Sequence, residues 1–156
     1  MTLVLPTPSR GYSETRPSTA RLLLAVVVCV AAAAGCLATG SQAASLAAAT
    51  AGADLTFLLR AMTAIKTLMA GGAIAAVAWR LSTPTTQLRL GAYALASAAM
   101  AVGPGLIWNM VHVGSGALFL HAGLLSAAVL LWRDPAVATR LAHYVAQRRA
   151  STALRR

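Results

Sequence analysis

Four long apolar runs, each bounded by polar or turn-forming residues, set the pattern of this chain. A bilayer core ~30 Å thick needs about 20 helical residues to cross it. Leu22 to Thr39 is uncharged and long enough. Leu55 to Trp79 is longer and carries Arg60 and Lys66. Leu90 to Trp108 is uncharged and contains Gly103-Pro104-Gly105. Val113 to Trp132 is apolar apart from His121. Between them lie an Ala/Ser/Gly/Thr-rich stretch from Thr39 to Ala53, the loop signal Ser82-Thr83-Pro84-Thr85-Thr86, and the short link Asn109 to His112. The expected fold is all-α: an integral membrane four-helix bundle with spans at 22–39, 55–79, 90–108 and 113–132.

Two readings of the runs compete with this one. Span three could stop at the Gly-Pro-Gly break, with span four starting at Leu106. The remaining Leu90 to Val102 would cover only ~20 Å, so Pro104 is read as a tolerated break inside one span. Arg21 followed by Leu22 to Ala34 also has the shape of a cleaved signal sequence. Ser41-Gln42-Ala43 is a small-x-small site, and Ala33-Ala34-Gly35-Cys36 loosely resembles a lipoprotein processing site. The basic lead-in is long for a signal, and Ala stands three before Cys36. A retained span is the preferred reading.

Composition agrees with the pattern. The chain is 58% hydrophobic and only 10% charged, against about 25% charged in a soluble domain. Arg greatly outnumbers Lys, a bias that suggests a bacterial source. The net charge of +10 would point to nucleic acid in a soluble protein. Here its placement argues otherwise. All basic residues except Arg60 and Lys66 fall before span one, between spans two and three, or after span four. Positive loops stay cytoplasmic, so both termini are expected inside the bacterial cytoplasmic membrane. Trp79, Trp108 and Trp132 fall at span ends, as an aromatic belt requires. No nucleic-acid partner is expected.

Residues that could carry chemistry are few. Arg60, Thr63, Lys66, Thr67 and Ala70 share one side of span two. This polar stripe is expected to face other helices, either as a structural seam or as a site for an anion, lipid headgroup or polar ligand. His121, near the middle of span four, is expected to face the bundle. Met110, His112 and His121 are the candidate metal ligands, and thioether with imidazole suits Cu(I). Haem is the other cofactor considered, but His112 and His121 point to opposite sides of one helix. Cys29 and Cys36 lie ~10 Å apart along a helix, too far for a disulfide. No carboxylate lies deep in a span, and no catalytic, phosphate-binding or zinc motif is present. No cofactor is predicted and an enzyme is disfavoured. Asp54 is read as the N-cap of span two.

The ends are read separately. Residues 1–20 are expected to be a disordered basic cytoplasmic tail, and 21–133 the four-span domain. In 134–156, Asp134-Pro135 opens a helix. Its stripe of Val137, Leu141, Tyr144 and Val145 sits among Arg140, Arg148 and Arg149. These arginines are expected to contact anionic lipids at the cytoplasmic face. Small residues stud all four spans and let helix backbones approach. The function read from these features is that of an accessory or scaffold subunit packing as a homo-oligomer or within a larger membrane complex. The alternative is a membrane-embedded small-molecule, anion, copper or haem-binding protein or transporter using the Lys66/His121 region.

Overall fold

The computed structural model describes residues 14–38 and 40–153. Among the described residues, four helices are long and apolar enough to cross a membrane: α1 Pro17–Leu37, α3 Ala53–Arg80, α4 Gln87–Trp108 and α5 Val113–Trp132. Two more helices flank them, α2 Ser41–Ala51 and α6 Pro135–Ala153. The expected register of spans three and four holds. α4 runs unbroken through Pro104, and α5 begins at Val113 after a short turn.

The stretch from Thr39 to Ala53, read as a linker, holds α2 instead. Alanine has the highest helix propensity, so an Ala-rich segment needs few contacts to become helical. Gly40 and Gly52 bracket it. Gly52 sits at φ +82°, a left-handed conformation that glycine reaches without steric cost. The chain therefore turns there and starts α3. Asp54 is not the cap: Gly52 is, and Asp54 lies in the first turn, where a carboxylate still opposes the positive helix end.

Residues 14–20, read as part of the disordered tail, hold a short strand and the first turn of α1. Glu14–Thr15 form β1, which pairs antiparallel with β2, Thr85–Thr86, in the α3–α4 loop. Pro17 then occupies the first turn of α1, where its fixed φ suits the helix. Residues 1–13, the rest of that expected tail, lie outside the described residues. The β pairing draws the start of α1 to the end of the molecule that carries the 80–89 loop. Arg21 Nε adds a bond to the Ala78 carbonyl at 3.3 Å.

α4 is the central helix and packs on α1, α3 and α5. Close approach is made by glycines. A Cβ on Gly35 would lie 2.5 Å from the Val102 carbonyl oxygen, and one on Gly105 would lie 2.6 Å from the Cys36 amide nitrogen. On the other flank, a Cβ on Gly103 would lie 2.7 Å from the Gly116 carbonyl oxygen, and one on Gly123 would lie 2.7 Å from that of Ala96. The two glycines around Pro104 thus serve opposite neighbours, Gly105 facing α1 and Gly103 facing α5. In α3 the small-residue stripe packs only in part: Ala70 is buried, whereas a Cβ on Gly71 or Gly72 would meet nothing within 4 Å.

Candidate functional site

α1 and α3 both lean on α4 but diverge from each other. A cavity of about 710 Å³ opens between the three. Val28, Ala32 and Cys36 come from α1, Thr63, Thr67 and Ile74 from α3, and Met100, Pro104 and Trp108 from α4. A second cavity of about 590 Å³ shares Ala64 and Trp108 with it and reaches Arg60, Phe57 and Ala48 of α2. Together they form one groove along α3, running from mid-helix to the end opposite the 80–89 loop.

The groove is apolar, with a few polar groups in its walls. Thr63 Oγ1 donates to the Leu59 carbonyl at 2.7 Å, and Thr67 Oγ1 donates to the Thr63 carbonyl at 2.8 Å. Both hydroxyl protons are thereby used, and the oxygens remain acceptors. Pro104 has no N–H, so the carbonyl of Met100 loses its intrahelical donor. Ser97, which shares a helix face with Ala101 and Pro104, is fully buried and its hydroxyl has no hydrogen-bond partner. At the mouth, the Arg60 guanidinium lies over the Trp108 ring, 5.4 Å from its centroid.

The stripe read from the sequence is therefore divided. Arg60, Thr63 and Thr67 belong to the groove. Lys66 does not line it; the side chain is half-buried on the other flank of Thr63. His121 is exposed on α5, opposite the buried face of Gly116, Leu120, Gly123 and Ala127. Its Nδ1 donates to the Ala117 carbonyl at 2.6 Å. Met110 and His112 lie in the α4–α5 turn, with Met110 at φ +61°. His121 is roughly two and a half turns, about 13 Å, along the helix from His112. The structure does not bring these three together. Among the described residues, no three His, Cys, Asp or Glu side chains could hold one metal ion.

A polar cluster that the sequence reading missed closes the opposite end. Asp134 is buried and accepts from Arg80 Nε at 2.5 Å and from the Tyr93 hydroxyl at 3.1 Å. The Ala136 amide donates to its other oxygen at 3.1 Å, the expected capping bond of α6. Arg80 also donates to Thr83 Oγ1 at 2.6 Å, and Arg89 stands 3.8 Å from the carboxylate. Burial alone would raise the Asp134 carboxyl. The donors, led by Arg80 and then the Ala136 amide, outweigh it and hold the group below the ordinary carboxylate value. The one available signal was scarcity: the chain has only three acidic residues, and Asp134 stands at its arginine-rich end.

Arg140, expected at the lipid surface, is turned to the bundle. It donates to the Trp79 carbonyl at 3.2 Å and to Ser82 Oγ at 2.6 Å, and stacks over Trp79 at 5.3 Å. Tyr144 and Val145 of α6 are exposed. The side chains of Arg148 and Arg149 lie outside the described residues. Compared with protein-family models, curated proteins and solved structures, the chain matches none.

Proposed function

We propose that the chain is a small multi-pass protein of a bacterial cytoplasmic membrane, non-enzymatic, serving as an accessory or scaffold subunit that packs against a second copy or a larger membrane complex. In this reading the arginine-rich end, with the start of α1, the 80–89 loop and the start of α6, is cytoplasmic by the positive-inside rule. The observation that carries the reading is the exposed imidazole of His121, mid-way along a helix long and apolar enough to cross a membrane. An ionisable ring facing hydrocarbon is costly, and such residues are almost always turned to protein. A neighbouring helix that offers His121 Nε2 a hydrogen bond removes that cost.

The test is purification from membranes in mild detergent, followed by a mass measurement of the particle. The expected result is a homo-oligomer or a complex that His121→Leu weakens. A monodisperse lone monomer, or an assembly indifferent to His121→Leu, overturns the reading. A reporter active only outside the cell, fused to either tail, is expected to stay silent.

A second reading, ligand binding, is favoured by one observation: Arg60, Thr63 and Thr67 lie along a single groove. Its copper and haem forms are tested by metal analysis and a visible absorption spectrum of the purified protein.

A further inference from the structure

We propose that the groove between α1, α3 and α4 is a site for one anionic phospholipid of the leaflet opposite the arginine-rich end. An acyl chain lies along Thr67, Ile74 and Met100, and the phosphate is held at Arg60. The inference rests on the ligand-binding reading of this groove and is independent of the accessory-subunit reading.

Three observations converge on this occupant. The shared cavity of about 710 Å³ lies in the range of ligand sites, and its walls are apolar along its length. It opens sideways between two helices, so a molecule dissolved in the bilayer can enter without passing through water. The third is the state of Arg60. Its guanidinium face is spent on Trp108, and it takes part in neither ion pair among the described residues. Stacking occupies the face of the group and leaves its edge N–H donors free, and these match a phosphate with two parallel bonds. The nearest acid along the helix, Asp54, is about 9 Å away along the axis.

Charge also selects among lipids. A zwitterionic headgroup brings its own cation to the phosphate, whereas a phosphatidylglycerol-type headgroup brings none. Arg60 therefore favours the anionic lipid. The groove alone, lined mostly by apolar side chains, would take any acyl chain.

The test uses the full chain with Trp79→Phe and Trp132→Phe, leaving Trp108 as the sole indole. Its fluorescence is followed in mixed micelles containing phosphatidylglycerol or phosphatidylcholine with brominated acyl chains. Trp108 is expected to be half-quenched at about fivefold less phosphatidylglycerol than phosphatidylcholine, the factor one arginine supplies at an anionic lipid. Arg60→Gln should remove that preference, and Arg60→Lys should keep part of it. Because Arg60 is exposed, these changes leave no buried group unpaired. Thr67→Phe should reduce quenching by both lipids.

Equal quenching by the two lipids, or a preference that survives Arg60→Gln, overturns the anionic headgroup even if Thr67→Phe still acts. If Thr67→Phe also changes nothing, the ligand-binding reading of the groove falls with it.

Discussion

Helices α3 and α4 are both long, apolar and rich in small residues, yet 56% of the α4 span is buried against 17% of α3. The glycines show where the difference lies. Gly103 and Gly105 of α4 sit in backbone-to-backbone contact with α5 and α1, whereas Gly71 and Gly72 of α3 face open space. α4 spends its small residues on packing. α3 is attached along the α4 side and pinned at its Arg80 end, and it forms one wall of an open groove. Lipid tails are as apolar as leucine, so a smooth surface of small residues is equally compatible with a helix or with lipid. A stripe of such residues marks a possible contact, and the neighbour decides whether it is one.

The contrast can be broken most forcefully at the pin. Asp134→Ala leaves Arg80 buried without its partner, and loss of one member of a buried pair costs about 3–5 kcal/mol. Unfolding in detergent should show this, while Asp54→Ala, in an exposed first turn, stays within about 0.5 kcal/mol of the parent.

Next in size is the packing difference itself. Gly35→Leu forces a side chain into the α4 backbone and should cost about 1–3 kcal/mol. Gly71→Leu, on α3, should be neutral or slightly stabilising, since glycine is a poor helix former. Equal effects at the two positions would mean that α3 is packed after all.

A milder probe of the pin is acid. The folded Asp134 carboxyl lies below its ordinary value. A depressed carboxyl contributes stability that is fully present above the unfolded value, near pH 4, and is lost as pH falls through the folded value. The melting temperature of the parent should therefore drop below about pH 4, while Asp134→Asn shows a flatter acid limb.

The smallest effect is expected at the α4–α5 turn. Met110 holds a left-handed backbone that costs a non-glycine residue roughly 1–2 kcal/mol. Part of that gain is offset by the greater freedom of unfolded glycine. Met110→Gly should raise the melting temperature slightly.

Much of the fold was legible from the chain alone. The span ends at Trp79, Trp108 and Trp132 follow from apolar length and interfacial aromatics. The continuity of α4 through Pro104 follows from the length a span must reach. The helix at 41–51 was not legible, because the same Ala/Ser/Gly composition serves a linker or a helix. Of the polar stripe, only the helical face could be read. Arg60, Thr63 and Thr67 fell on the groove and Lys66 beyond its edge because α1 leans away on one side of Thr63. The inward turn of Arg140 and the burial of Asp134 depend on residues more than 40 positions away in sequence, Trp79, Ser82, Arg80 and Tyr93.

Local order along the chain thus fixed the number of apolar helices, their approximate ends and the clustering of arginines. Each follows from quantities that add up residue by residue: helical rise, hydropathy and charge. Contact between distant helices decided which glycines touch, which acid pairs with which arginine, and where a groove stays open. Those outcomes turn on facing surfaces, and an apolar face carries no mark of whether its neighbour is helix or hydrocarbon.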